Sequence, residues 1–301
     1  MQEPNTKEAR PKGARVWWLA IRPATLWAAV VPVGVGTAVA FSENLFDLLP
    51  ALAALAGAMF IQIGTNLAND YFDFRSGADT EQRLGPARAT QRGWLTPRQV
   101  ASGAGVALVV AAVIGVYLVS VGGWPIAVVG IASLALAVGY TGGPFPLAYH
   151  GLGDVFVLVF FGFVAVCGTV WVQGGVLPLS AWFAALPVGT LATAILVVNN
   201  LRDRHTDAVA GKRTLAVRLG AAATRREYLL LLVVAWAVGP LAWGTGIGGA
   251  GWMLPWLALP LAVREVRGVF QRDGAALNAH LGGTARLELV YGILLGVGIL
   301  L

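Results

Sequence analysis

The sequence predicts an all-α polytopic membrane protein with about nine transmembrane helices, and three observations carry that prediction. Of 301 residues, 57% are hydrophobic and only 12% charged, with a mean hydropathy of +0.72; a soluble domain carries about a quarter charged residues. Apolar runs of bilayer-crossing length recur along the whole chain. The basic residues are confined to alternate connections between those runs. This composition excludes a soluble domain, a disordered chain and a disulfide scaffold. Cys167 is the only cysteine, so thiolate metal and CxxC chemistry are excluded too.

The predicted spans are Ala24–Phe41, Leu48–Thr65, Val100–Val121, Trp124–Tyr140, Val155–Val172, Ala181–Asn199, Leu229–Thr245, Trp252–Val263 and Leu287–Leu301. The eighth is short and holds Pro255 and Pro260. The first fifteen residues are polar and the first apolar run has full span length, so no cleavable signal peptide is expected. The chain reads as one transmembrane domain over 1–301, with a polar arm at 1–15 and two pseudo-halves at about 16–141 and 142–301.

Nine spans leave four connections opposite the N-terminus, at about 42–47, 122–123, 173–180 and 246–251, and none contains Lys or Arg. All 21 basic residues lie in the arm or in the other four connections. The positive-inside rule therefore places the N-terminus and the basic connections on the cytoplasmic side and the C-terminus outside. Trp17, Trp18, Trp124, Trp171, Trp182 and Trp252 lie near span ends, as an interfacial belt would have them. No strong charge is expected at mid-bilayer depth.

Acidic residues near a membrane are costly, so their positions carry information. After span two, Gln62, Asn66, Asn69, Asp70 and Asp73 recur at i, i+4, i+7, i+8 and i+11, one stripe of a helix. Asp79 follows. After span six, Asn199, Asp203 and Asp207 stack at i, i+4 and i+8. Two such clusters ending spans two and six, each beside cations (Arg75 and Arg88; Arg202, Lys212 and Arg213), form a hard-oxygen donor set without Cys or His. That chemistry suits Mg²⁺ completed by phosphate oxygens. The physical reading is a Mg²⁺–diphosphate site at the mouth of an intramembrane cavity. The two clusters supply its oxygen donors, and the cations counter the remaining phosphate charge.

Other segments admit two readings. The stretch Gly85–Thr90 reads as a phosphate loop around Arg88 or as a turn with a topology charge. Arg22-Pro23 reads as a substrate-binding cation or as a snorkelling arginine before an N1 proline. The Gly- and Pro-rich run 140–154 reads as an ordered turn near the mouth, with the Tyr140 and Tyr149 phenols available to phosphate or an aromatic substrate. Asp154 is either catalytic or a cap of span five. His150 receives no role.

These motifs resemble the UbiA superfamily of intramembrane prenyltransferases over essentially the whole chain. The pieces that carry the resemblance are RPATL, NLANDYFDFRSGAD, GPARATQRGWLT, YTGGPFPLAYHGLGD and NNLRDRHTDAVAGKRTLAVRLG. The last tail, and the displacement of Asp79 beyond Gly77, look like the branch that acts on 1,4-dihydroxy-2-naphthoate. The resemblance implies helices around a central cavity opening to lipid. It implies one Mg²⁺ at Asn66, Asp70 and Asp73 and a second at Asp203 and Asp207, the four aspartates being catalytic. Arg88, Lys212, Arg213 and Tyr140 would bind diphosphate, and Arg22, Asn69, Tyr149, Asp154 and Asn199 would line the substrates. The implied partners are a polyprenyl diphosphate, the naphthoate and the lipid bilayer, with no nucleic acid and no obligate protein partner. 4-Hydroxybenzoate or homogentisate is the alternative acceptor. A transporter is the reading from another class, disfavoured because the acidic clusters lie at the rim.

Overall fold

The structure, a computed structural model, is described for residues 11, 13–77 and 83–301; Asp79 lies outside the described residues. Helices account for all regular secondary structure among them. In chain order they are α1 (Ala14–Ala20), α2 (Pro23–Ser42), α3 (Leu48–Arg75), α4 (Pro97–Gly122), α5 (Trp124–Gly139), α6 (Gly153–Gly174), α7 (Leu179–Val209), α8 (Leu215–Gly244), α9 (Leu259–Gln271) and α10 (Gly274–Leu300). A 3₁₀ segment, Ala250–Ala258, leads into α9.

Among the described residues, seven helices are long and apolar enough to cross a membrane: α2, α3, α4, α6, α7, α8 and α10. Not all of the nine spans expected from the sequence coincide with a helix of that length. The fourth predicted span is α5, an apolar helix of only 16 residues. The eighth splits, because Pro255 sits in the 3₁₀ segment and Pro260 begins the amphipathic α9, which buries Ala262, Glu265 and Val269 and exposes Arg264 and Arg267. Helices α3 and α7 each run ten residues past the predicted span end, to Arg75 and Val209. The acidic stripes are therefore the last turns of long helices.

Local chemistry fixes the ends. Thr96 and Gln99 form a capping box before Pro97 at the start of α4, and Asp47 accepts from the Leu49 N–H at the start of α3. Helix α7 is the axis of the bundle: 72% of its most apolar stretch is buried, against 17% for α4, whose Val109 and Val113 face outward. A membrane offers no hydrophobic drive between helices, so close approach relies on small residues. Gly162 on α6 faces Gly189 on α7 so tightly that a Cβ at 162 would lie 2.7 Å from the Gly189 Cα.

Two expectations fail here. Trp252 is 3% exposed and belongs to the core rather than to an interfacial belt, because Gly239 and Gly248 leave room for it. Glu288 is fully buried near the middle of α10, so a carboxyl group does occupy mid-span depth. Its side chain is shielded by packing rather than by position along the chain.

Candidate active site

An apolar cavity of about 620 Å³ runs between α2, α3, α4, α5 and α6. Along α3 it extends from Asn69 to Ala54, fifteen residues or about 22 Å at the α-helical rise. Its wall on α6 includes Phe156, Phe160 and Phe161. Residues Leu158–Val164 of that helix adopt a π-helical stretch, a distortion that re-registers side chains and recurs at functional sites. Gln62, Asn66, Asn69 and Tyr140 form the polar end of the cavity.

Beside that end, Asp73 gathers two cations. Arg88 Nη2 donates to its Oδ2 at 2.7 Å and Lys212 Nζ to its Oδ1 at 2.8 Å, with the carboxylate 3% exposed. Burial alone would push the Lys212 ammonium down, but Asp73 outweighs it and the pKa rises, so Lys212 stays cationic. Its Nζ lies 5.1 Å over the Tyr149 ring. The Tyr149 carbonyl in turn accepts from the Arg213 N–H at 3.0 Å. These contacts join the Gly- and Pro-rich run 140–154 to the turn after α7.

Asp70, 1% exposed, holds residues 84–90 in place. Its Oδ2 accepts from the Ala89 N–H at 3.0 Å, and its Oδ1 from the Thr90 hydroxyl. Asn66 does the same for the α1–α2 turn. Its amide donates to the Ile21 carbonyl at 2.9 Å and to Thr25 Oγ1 at 2.8 Å. The turn so held puts Arg22 in the left-handed region, at φ 55 and ψ 73, an uncommon backbone for a side chain of this size. One buried guanidinium nitrogen of Arg22 has no hydrogen-bond partner among the described residues. Burial, then repulsion from Arg88 and Arg83, lowers the Arg22 pKa to about 9, with Asp70 and Asp73 opposing.

In the second cluster, Arg202 bonds its neighbour Asp203 through Nε at 2.8 Å and through Nη2, and takes Asn199 Oδ1 at 2.8 Å. Asp207 is half-buried; its backbone carbonyl accepts from the Lys212 N–H at 2.8 Å, while no described residue donates a hydrogen bond to its carboxylate, which leaves it the open carboxylate of the set.

The remaining candidates fall as follows. Tyr140 lines the cavity, and burial, then the charges of Asp154, Asp73 and Asp207, raise its pKa, so it acts as a hydrogen-bond donor. Asn69 lines the cavity and accepts from Thr141. Asp154 is buried in the first turn of α6 with Oδ2 unpartnered. Leu152 holds the cap position and makes no side-chain cap bond, so Asp154 is not a cap. The Arg213 side chain is exposed, and Asn199 faces Arg202. Arg75 lies outside the site, donating to the Tyr71 hydroxyl at 3.1 Å. Sequence reasoning missed Glu227, whose Oε2 is buried with no hydrogen-bond partner among the described residues. Its signal was a lone acid among arginines just before span seven.

The donor chemistry of Asn66, Asp70, Asp73, Asp203 and Asp207 fits a hard divalent cation, and the open Asp207 carboxylate is one ready ligand. Among the described residues no three acidic or histidine side chains converge on a single point. Arg88, Lys212 and Arg202 neutralise the carboxylates instead.

The fold and site together define an all-helical integral membrane protein with a balanced cation–carboxylate site at the polar end of an apolar cavity. The UbiA prenyltransferase family model matches residues 29–279, and the chain belongs to that family. It is 40% identical over 279 residues to the 1,4-dihydroxy-2-naphthoate octaprenyltransferase of Mycobacterium tuberculosis, covering 92% of this chain and 94% of that one. It is 37% identical over 295 residues to the enzyme of the same description from Escherichia coli, covering 95% and 96%. Its fold matches a UbiA homologue from Archaeoglobus fulgidus bound to DMAPP and Mg²⁺, with a TM-score of 0.62, 13% identity and coverage of 93% and 99%.

Proposed function

We propose that this protein transfers a polyprenyl group from a polyprenyl diphosphate to 1,4-dihydroxy-2-naphthoate, releasing diphosphate and CO₂ and giving demethylmenaquinone. The observation that carries this reading is the continuity between the apolar cavity, about 22 Å long by the rise of α3, and the Asp73–Arg88–Lys212 cluster at its polar end. A substrate with a long apolar tail and a polyanionic head fits that pairing. The shared description of the bacterial relatives supports the naphthoate as acceptor.

Two Mg²⁺ ions, held by Asn66, Asp70 and Asp73 and by Asp203 and Asp207, would supply charge neutralisation of the diphosphate. Arg88, Lys212 and Arg22 bring positive charge to the leaving oxygen as it gains negative charge, and Tyr140 donates a hydrogen bond there. The apolar wall excludes water from the allylic cation, and the faces of Phe156, Phe160 and Phe161 are suited to stabilise it. The carbon bearing the naphthoate carboxylate then forms the new C–C bond, and loss of CO₂ returns the electron pair to the ring. The confinement of Lys and Arg to alternate connections supports a cytoplasmic-side site, with the N-terminus inside and the C-terminus outside.

The test is a membrane assay with a radiolabelled prenyl diphosphate and either the naphthoate or 4-hydroxybenzoate, with and without EDTA. Product and CO₂ from the naphthoate, lost on chelation and restored by Mg²⁺, is the expected result. Product from the benzoate alone would overturn the acceptor. EDTA-insensitive turnover would overturn the metal assignment.

A further inference from the structure

We infer that Arg202 is a positioning residue that acts through Gly85 to set where Arg88 meets Asp73. Residues 84–90 form a strap between the two halves of the molecule. At one end the Leu84 carbonyl accepts from Asn278 Nδ2 at 2.7 Å, and Asn278 Oδ1 accepts from Arg202 Nη1 at 2.9 Å. At the other end, the Ala89 N–H and Thr90 hydroxyl are held by Asp70, and Arg88 bonds Asp73.

The Arg202 side chain is 1% exposed and uses four of its five N–H donors, on Asp203 (two), Asn199 and Asn278. A guanidinium so committed is a rigid surface rather than a flexible one. Gly85 lies on it: a Cβ at 85 would sit 2.7 Å from Nη2 and 3.0 Å from Cζ. Only glycine lets the strap approach this closely, and Arg88 follows three residues later. Arg202 therefore does two things at once. It fixes the Asp203 carboxylate in the second half, and it sets the height at which the strap crosses to the first. A displacement at Gly85 would be passed to Arg88, and sub-ångström misplacement at a reacting centre is expensive.

This inference rests on the proposed reading only in that Arg88 faces a diphosphate. Removing Arg202 outright would strand a buried carboxylate and destabilise the fold, so the informative variants are Gly85→Ala, which removes no charge, and Arg202→Lys. In the purified full-length protein, melting temperature, Mg²⁺-dependent binding of geranyl diphosphate, and kcat and KM for both substrates are measured. Gly85→Ala is expected to keep the melting temperature within about 3 °C, to weaken geranyl diphosphate binding about fivefold or more, and to lower kcat/KM for the donor about tenfold or more. KM for the naphthoate should stay within about twofold. The double variant should be no worse than Arg202→Lys alone, because both substitutions break one coupling. Wild-type donor binding in Gly85→Ala, or additive losses in the double variant, would overturn the assignment. So would a loss confined to melting temperature. The binding arm keeps this separate from the proposed function: a wild-type protein that binds geranyl diphosphate but prenylates no naphthoate would fail that reading and leave the Gly85 comparison decisive.

Discussion

Asp73 and Lys212 are 139 residues apart in the chain, yet Lys212 Nζ donates to Asp73 Oδ1 at 2.8 Å. The contact ties the end of α3 to the turn after α7, and Arg88 joins the same carboxylate from residues 84–90. Asp73→Asn would leave an amide that accepts from one cation and presents N–H donors to the other. Turnover is expected to fall by about 10²–10³ at unchanged membrane expression, read by prenyl transfer in matched membranes. Activity within about tenfold of wild type would contradict a central role for this carboxylate.

Asp70 and Asp203 are each engaged by internal partners, Asp70 by the strap and Asp203 by Arg202. Asp70→Asn and Asp203→Asn should both abolish turnover while leaving expression and membrane insertion intact. Near-normal turnover in either variant would remove the corresponding metal assignment.

Arg22 gives the site a pH dependence whose sign follows from its surroundings. Burial, then Arg88 and Arg83, lowers its pKa to about 9, so the guanidinium is charged at neutral pH and loses its proton as pH rises through that value. Affinity for an unreactive prenyl diphosphate analogue should fall above about pH 9. Arg22→Gln should bind more weakly at neutral pH and lose the alkaline fall. Calorimetric titration across pH reads both, and an alkaline limb that persists in Arg22→Gln would assign it to another group.

Gly168 lines the cavity on α6, fifteen residues from the helix start, and a Cβ there meets nothing within 4 Å. Gly168→Phe should therefore fill the far end without strain. Geranyl diphosphate should be used within about threefold of wild type, and an octaprenyl donor about tenfold or more less well. Parallel kcat/KM measurements with the two donors provide the check, and equal losses would place the tail elsewhere.

Much of the site was legible in the sequence because helical spacing is a local property. Asn66, Asp70 and Asp73 had to share a face once α3 was a helix, as did Asn199, Asp203 and Asp207 on α7. The burial of Glu288 and Trp252 and the orphan oxygen of Glu227 were not legible. Burial depends on which neighbour packs against a residue: Gly239 on α8 admits the Trp252 backbone, and Gly248 leaves space for its indole.

Composition, hydropathy and the placement of basic residues determined by themselves that this chain is an all-helical membrane protein with acidic motifs at its rim, because bilayer thickness and charge transfer constrain every segment independently. The tertiary structure alone decided which cation each carboxylate meets: Arg88 and Lys212 for Asp73, the strap for Asp70, Arg202 for Asp203. It also decided that Pro255 and Pro260 divide the eighth predicted span into a 3₁₀ segment and an amphipathic helix. Such pairings join residues far apart in sequence, and their geometry is fixed by helix packing and by close approaches such as Gly85 on Arg202, which no local pattern encodes.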